Sequence, residues 1–258
     1  MDLQATYLGA NGWLLEFPSP SSAPLRVLVD PWLEGDLVFP PGPWFLRGEL
    51  PRPQPLPDGV DLLLLTQGLA DHCHPPTLSR LPRDLAVVAS PTAAVQVKRL
   101  GFSAVTSLAP GEHHSIGRLT ITATAGAAVP QIENGYLLDH PAGRIYLEPH
   151  GYLDSRLEAR QVDAVITPVV DLGLPLAGAF IRGREVLPRL VERLSPLTIL
   201  ASTTGGDVRL TGLLSGWVWQ KGSVAEACGQ TGSCELVDPV PGTVLQLPTR
   251  SGETGSLT

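Results

Sequence analysis

The sequence predicts a layered α/β domain of the αββα type, with two mixed sheets face to face and helices on the outside. The chain has 258 residues, 43% of them hydrophobic, which is enough for one large globular core. Its strand patterns come in two groups, each followed by helical patterns. A run of four leucines, residues 62–65, is typical of a buried strand, and it ends in a polar turn before Pro75 and Pro76.

The first part of the chain predicts a hairpin, a third strand and a long loop. Two strands flank a turn at 9–12, and a third covers 25–29. The Pro-rich segment 38–58 has neither a strand period nor a helix period. A long loop of this kind is usually functional or disordered. Trp44 either helps it to cover the mouth of a site or anchors it to the core.

Two helices follow from local signals. Ser90 is expected to cap a helix that has Pro91 at its first position, continues through Leu100 and is closed by Gly101. A second helix is expected over 183–194, where Pro188 needs to fall in the first turn. Further strands are expected at 85–89, 104–108, 119–124, 136–138, 144–147, 162–170, 197–201 and 245–247, and a short helix at 223–228.

We expect residues 1–258 to form a single domain, with the Pro-rich loop at 38–58 and a flexible tail at 249–258. The 18 basic and 25 acidic residues give a formal net charge of -7, which argues against nucleic acid as the main partner. The first residues do not resemble a signal peptide, and no apolar run is long enough to span a bilayer. The sequence therefore predicts a cytoplasmic protein with no membrane partner, and it leaves a homo-oligomer open.

Asp71, His72 and His74 lie between a buried strand and a helix, the usual place for chemistry in α/β folds. Cys73 lies among them and is either a thiol nucleophile or incidental. With Cys228 and Cys234 it makes three cysteines, which do not form a disulfide framework; free thiols are expected.

The turn from Thr66 onward resembles the metal-binding turn of the metallo-β-lactamase-fold hydrolases, whose pattern is Thr/Ser-His-x-His-x-Asp-His. On this chain the first His falls on Gln67 and the second on Leu69, while the Asp and the last His fall on Asp71 and His72. The resemblance implies the αββα fold and a family of metal-dependent hydrolases, with half of the motif replaced.

The opening of the chain resembles the ascorbate-phosphate-lactonase-like branch of that family. The branch has Asp-Pro-Phe-Leu-x-Gly after its third strand, and here residues 30–35 read Asp-Pro-Trp-Leu-Glu-Gly. It also has Leu-Gly-His-Ser-Gly-Phe in its first hairpin, and here residues 8–13 read Leu-Gly-Ala-Asn-Gly-Trp, with Ala10 in place of the His.

The family binds two metal ions, and the resemblance leaves this chain with parts of the second site. Asp71 and His72 match two of its ligands. Pro149 falls on the bridging Asp, flanked by Glu148 and His150, and Ser202-Thr203-Thr204 stands where the C-terminal His is expected. At most one divalent ion (Zn, Mn or Fe) is therefore expected, held by Asp71, His72 and either His150 or Glu148.

His74 is a further candidate ligand, and Asp30, Gln67 and Asp171 are candidate pocket residues of a second tier. The sequence also allows a metal-free site, in which Asp71 caps the turn, His72 is a satisfied buried histidine and Asp30 holds its own loop.

Two functions follow. The first is a divergent hydrolase in which one metal activates water against a small ester, lactone or phosphoester. The second is a non-catalytic, metal-free member that uses the pocket to bind a small molecule or a protein.

Overall fold

The computed structural model describes residues 2–128, 132–202 and 208–250. The strands are β1 (Gln4–Gly9), β2 (Gly12–Phe17), β3 (Leu25–Val29), β4 (Leu37–Phe39), β5 (Leu46–Glu49), β6 (Leu62–Leu65), β7 (Ala86–Ala89), β8 (Val105–Ser107), β9 (His113–Ile116), β10 (Leu119–Ala125), β11 (Asn134–His140), β12 (Gly143–Leu147), β13 (Ala164–Thr167), β14 (Asp171–Leu174), β15 (Gly178–Arg182), β16 (Thr198–Ala201), β17 (Arg209–Thr211), β18 (Trp219–Lys221), β19 (Glu235–Val237) and β20 (Val244–Gln246). The α-helices are α1 (Pro75–Ser79), α2 (Pro91–Arg99), α3 (Gly183–Leu194) and α4 (Val224–Cys228), and a single 3-10 turn covers Ser215–Trp217.

Two seven-stranded sheets form the centre of the molecule. Their strand orders are β20-β1-β2-β3-β6-β7-β8 and β19-β16-β13-β12-β11-β10-β9. In each sheet one half is antiparallel and the other half is parallel, with the change at β3–β6 in the first sheet and at β12–β13 in the second. The two sheets thus share an arrangement that no repeat in the sequence indicated.

The leucine run explains how the layers stack. Leu62 and Leu64 pack into the core between the two sheets, together with side chains from the second sheet such as Ile121. Leu63 and Leu65 point to the opposite face, because strand side chains alternate, and there they pack in the cluster that includes Ala93 of α2. Both faces of β6 are therefore buried, and the strand needs an apolar residue at every position.

Helix α3 covers the outer face of the second sheet. Its residues Val186, Leu190 and Leu194 pack against Tyr146 of β12, and Leu187 packs against the neighbouring strands. With α1 and α2 on the other side, the four layers are helix, sheet, sheet and helix, so the predicted αββα sandwich is confirmed.

The caps of α2 and the bounds of α3 are confirmed, whereas the expected position of Pro188 in the first turn of α3 is wrong. Ser90 Oγ accepts a hydrogen bond from the N–H of Ala93 at 3.3 Å, and Pro91 is the first helical residue. Helix α3 begins at Gly183, so Pro188 is its sixth residue and lies in the second turn. A proline there lacks the N–H that would bond to the carbonyl of Arg184. Packing of the apolar face evidently outweighs that loss.

The segment 38–58 is not an irregular loop throughout. It contains most of β4 and all of β5, which pair with β17 in a separate three-stranded sheet. Trp44 does not anchor this segment to the core, because its side chain is 63% exposed; Trp32, which is 1% exposed, packs there instead. Strands of three or four residues are too short to show a sequence period.

Some other expectations also change. The strand expected at 162–170 covers Ala164–Thr167, and the chain continues into β14 of a second small sheet, ordered β15-β14-β18. The tail expected from 249 is held at its start, since the backbone N–H of Arg250 donates to Asp163 Oδ1 at 2.9 Å; the rest, 251–258, lies outside the described residues. No helix in the described ranges is long and apolar enough to cross a membrane.

Candidate metal centre

Three strand ends bring the candidate residues to one edge of the sandwich. Asp30 follows β3 and Thr66 follows β6, and these strands are parallel neighbours in the first sheet. His150 follows β12 of the facing sheet. The carboxyl ends of the strands thus present side chains from both sheets to a common space.

Asp30 is the buried centre of this arrangement. It has a positive φ of 39° and is 1% exposed. Its Oδ1 accepts the backbone N–H of Thr66 at 2.8 Å, and its Oδ2 accepts the Thr66 hydroxyl at 2.5 Å. The same Oδ2 lies 2.9 Å from His72 Nδ1. Asp30 therefore ties the end of β3 to the turn after β6, instead of capping its own loop.

Asp71, His72 and His150 form the group that could hold a metal ion. One ligand atom from each lies within 4.8 Å of those of the other two, and the imidazole rings of His72 and His150 are 5.0 Å apart. His72 is fully buried and His150 is 5% exposed. Among the described residues, this is the group of three or more such side chains that converges closely enough for coordination.

Each histidine is oriented by a buried carboxylate behind it. His72 Nδ1 lies 2.9 Å from Asp30 Oδ2, and His150 Nδ1 lies 2.5 Å from Glu133 Oε2. An imidazole that donates from Nδ1 to a carboxylate keeps Nε2 as a lone-pair ligand. Carboxylates of this kind usually stand behind metal-binding histidines and fix their tautomer.

The carboxylate of Asp71 supplies the third ligand. Its Oδ1 is buried and has no hydrogen-bond partner in the part of the chain that the structure describes. Burial alone would raise the pKa of Asp71, but the neighbouring His72, with a smaller contribution from His150, lowers it below its ordinary value. A buried, ionised oxygen without a partner is costly unless a cation satisfies it, so the residues present fit a divalent ion.

The Nε2 side of His72 also has protein neighbours. Asp71 Oδ2 lies at 3.4 Å and Asn11 Nδ2 at 3.2 Å. Burial by itself would lower the pKa of His72, whereas the carboxylates of Asp71 and Asp30 raise it well above its ordinary value. Without a metal, His72 can therefore be satisfied by Asp30 at Nδ1 and by either Asp71 or Asn11 at Nε2.

Glu148 is not part of the converging group. Its side chain is fully buried, and its two oxygens accept the backbone N–H groups of His150 at 3.2 Å and Tyr152 at 2.7 Å. Burial, reinforced by the nearby carboxyl of Glu133, raises the pKa of Glu148 well above its ordinary value. The residue holds the loop that carries His150.

The other candidates have separate positions. His74 caps α1, with Nδ1 3.0 Å from Thr77 Oγ1, and Asp171 Oδ1 accepts the backbone N–H of Glu185 in the first turn of α3 at 3.3 Å. Gln67 is fully buried in the turn and is not one of the converging residues.

Cys73 does not have the properties of a nucleophile. It is 3% exposed, and burial, with a further contribution from the charge of Asp30, raises its pKa to about 12. A thiol that stays protonated at neutral pH and is closed to solvent is chemically inert. All three cysteines are free thiols, as expected.

A pocket of about 370 Å³ opens onto Asp71 and Asn11. Its walls come from the two small sheets and the 3-10 turn, and they are mostly apolar: Trp32, Leu37, Phe39, Leu46, Leu172, Leu174, Phe180, Ile181, Val208, Leu210 and Val218. The Pro-rich segment thus contributes to the pocket through Phe39 and Leu46, which agrees with the first of the two alternatives given for it, a place at the mouth of the site. A second cavity of about 190 Å³ reaches His150 from the other side, and Phe180 lines both.

Sequence reasoning missed Asn11 and Glu133 as site residues. Asn11 was assigned to a hairpin turn, and its neighbouring Ala10 occupies the position of a family histidine. Glu133 carries no local signal except that it is an acidic residue directly before the apolar strand β11.

Comparison with known proteins agrees with this fold. Residues 4–202 match the family model described as a beta-lactamase superfamily domain. No curated protein has detectable sequence similarity.

Among solved structures, the chain is similar to an isothiocyanate hydrolase from Delia radicum gut bacteria, with a TM-score of 0.67, 19% identity, and coverage of 95% of this chain and 100% of that one. It is also similar to a possible metal-dependent hydrolase from Veillonella parvula, with a TM-score of 0.68, 16% identity, and coverage of 96% and 100%. A third similar structure is the metallo-beta-lactamase fold protein YhfI from Bacillus subtilis, with a TM-score of 0.62, 14% identity, and coverage of 95% and 100%. At these identities the likeness shows the fold.

Proposed function

Because the chain belongs to the beta-lactamase superfamily, we propose that it is a metal-dependent hydrolase with one divalent ion held by Asp71, His72 and His150. Its reaction would be hydrolysis of a small ester, lactone or phosphoester. As part of this proposal, the chain is placed nearest to the ascorbate-phosphate-lactonase-like branch of the superfamily, because residues 30–35 resemble that branch.

One observation carries the proposal: two buried histidines are each held at Nδ1 by a buried carboxylate, and their rings meet at Asp71, whose Oδ1 has no hydrogen-bond partner. Three N and O ligands with room for a fourth are the arrangement of a catalytic zinc site, and they also suit Mn or Fe. An ion bound there would supply Lewis-acid polarisation of the scissile group and activation of water.

The remaining chemistry belongs to the protein. Asp30 and Glu133 fix the two imidazole rings, so the ligand set is formed before substrate binds. Asn11 lines the pocket beside Asp71, and in this proposal its side-chain amide, which contacts His72 Nε2 at 3.2 Å, would donate to a polar atom of the substrate at this end. The apolar walls exclude water around the reacting group.

The alternative function is that of a metal-free binding protein. It is supported by the contacts of His72 Nε2, which can donate to Asp71 Oδ2 when it carries a proton or accept from Asn11 Nδ2 when it does not, so the ring is satisfied without an ion. It is also supported by the replacement of two family ligands by Gln67 and Leu69. The pocket would then bind a small molecule or a protein segment.

Metal content separates the two functions. The full chain is purified without a chelator and without a metal-binding tag, and Zn, Mn and Fe are measured by mass spectrometry. An Asp71→Ala/His72→Ala double variant is measured in parallel, with His140→Ala as a matched control, because His140 is a half-buried histidine outside the group. The proposal expects about one ion per chain in the parent and in His140→Ala, and none in the double variant. If the parent is folded but contains no metal, even after incubation with each ion, the hydrolase proposal is rejected and the metal-free binding function remains.

A further inference from the structure

We propose that the substrate of this site is an uncharged, hydrophobic molecule, so that a neutral ester or lactone is accepted and a phosphoester is rejected. The inference rests on the proposed function for turnover, but its binding part depends on the pocket alone. A volume of about 370 Å³ lies within the range of pockets that enclose small ligands.

The charge of the pocket excludes an anion. Among the described residues that line it, Asp71 is the one with an ionisable side chain, and the other polar side chains are those of Asn11, Ser215 and Gln220. No lysine, arginine or histidine is among them. An anionic group placed against these walls would lose its hydration, and no cationic side chain of the described lining would repay the cost.

Two cations that directly follow lining residues, Arg47 and Lys221, are held by other groups. Arg47 follows the lining residue Leu46 in β5, and it pairs with Asp36 at 2.7 Å and Glu49 at 3.3 Å. Lys221 follows the lining residue Gln220 in β18, and its ammonium lies 5.2 Å from the ring centre of Trp219. Alternation along a strand turns successive side chains to opposite faces, so each strand gives a neutral side chain to the pocket and its cation to the other face.

Apolar surface continues outward from the pocket. Leu210 lines the cavity and is 37% exposed, while Trp44, Leu213 and Trp217 are each more than 60% exposed. They are close in the fold, because the N–H of Leu213 donates to the carbonyl of Trp44 at 3.0 Å. Exposed aromatic and aliphatic side chains beside an apolar pocket suit a substrate whose hydrophobic part extends to the mouth.

The binding test uses two isosteric probes that differ in charge, 2-naphthamide and 2-naphthoate, measured by calorimetry on the full chain in the presence of a chelator. We expect the neutral amide to bind at least about tenfold more tightly, because the carboxylate is desolvated beside Asp71. Leu210→Arg, at a position that is already partly exposed, should weaken binding of the amide at least about tenfold. It should also reduce or reverse the difference in affinity between the amide and the naphthoate. Val95→Arg is the matched control on α2, because Val95 is 50% exposed and does not line the pocket.

Turnover is then compared on metal-loaded protein with 2-naphthyl acetate and 2-naphthyl phosphate. Equal or tighter binding of naphthoate, or hydrolysis of the phosphate with none of the acetate, would overturn the inference; the second result would leave the proposed hydrolase intact. If the protein takes up no metal but binds the amide selectively, and this binding depends on Leu210, the inferred preference of the pocket is supported and the proposed hydrolase activity is rejected. Circular dichroism of Leu210→Arg checks that the variant is folded.

Discussion

The two histidines of the candidate centre are each fixed by a carboxylate from a different part of the chain. Asp30 stands 42 positions before His72, and Glu133 stands 17 positions before His150. Neither carboxylate is one of the three candidate ligands, yet each determines which ring nitrogen of its histidine faces the candidate metal position. At the scale of single residues, the site therefore depends as much on these orienting side chains as on the three ligands.

Glu133→Gln tests the orienting role directly. The amide oxygen can take the place of Oε2 and accept the N–H of His150, and the amide NH2 then replaces Oε1, the acceptor of the Ala127 N–H; one backbone hydrogen bond is lost, and the fold is expected to persist. The neutral acceptor polarises the imidazole less, and we expect metal affinity to fall about 10- to 100-fold. The measurement is a competition titration of Zn with a chromophoric chelator.

Glu158→Gln is the control for this variant, because it removes one carboxylate from a side chain that is 86% exposed. Its affinity should match that of the parent. An affinity for Glu133→Gln that equals the parent's, in a protein with an unchanged circular dichroism spectrum, would mean that the carboxylate does not act on the metal group.

At the scale of elements, the loop after β12 is fixed to the second sheet by a carboxylate. Asp154 Oδ2 accepts the N–H of Ala125, the last residue of β10, at 2.8 Å, and its Oδ1 accepts the N–H of Arg156 at 2.9 Å. Burial alone would raise the pKa of Asp154, but these two backbone bonds and the guanidinium of Arg156 lower it below its ordinary value.

The pH dependence of stability follows from that direction. A carboxyl group with a lowered pKa in the folded state stabilises the protein fully above its unfolded pKa, which is about 3.9, and this contribution is lost as the pH falls through the folded pKa. Asp154→Asn should therefore cost about 1–2 kcal/mol of unfolding free energy at pH 7, and the gap to the parent should close below about pH 4.

Urea unfolding at pH 3 to 7, with chelator present, measures this effect, and Glu158→Gln should follow the parent at every pH. If the difference in unfolding free energy between the parent and Asp154→Asn stays constant over the whole pH range, the ionised form of Asp154 stabilises the fold no more than the protonated form does.

At the scale of the whole molecule, one apolar core joins the two large sheets, and the candidate ligands come from both of them. We propose that residues 1–258 fold as a single domain, because the core contains side chains from the first strand to the last. A ligand that bridges both sheets should then stabilise the whole unit and not one sheet by itself.

Thermal unfolding tests this coupling. In chelator, we expect near-UV and far-UV circular dichroism to give one common transition. Metal at about 100 times its dissociation constant adds about 2.7 kcal/mol, which corresponds to a rise of about 5–10 °C in Tm for a chain of this size. His72→Ala should lose the rise. Two separate transitions, or a rise that persists in His72→Ala, would contradict a single domain stabilised through this centre.

The sequence by itself determined the features that depend on neighbouring residues. The leucine run predicted β6, Ser90 and Pro91 predicted the start of α2, and the Asp71-His72 pair predicted the strand-end turn; each rests on local backbone chemistry. Pro188 and the short strands β4 and β5 were not predictable in this way, because packing and pairing with distant segments stabilise them.

The tertiary structure alone decided which residues meet. His150 reaches Asp71 and His72 because two sheets pack face to face, and Glu133 reaches His150 because β11 and β12 pair in one register. The pocket is assembled from side chains between Ala10 and Gln220. Such contacts are set by sheet order and layer packing, which no local pattern encodes. The sequence named Asp71, His72 and the alternatives His150 and Glu148, and the fold brought His150 to the group and supplied Glu133 and the apolar walls.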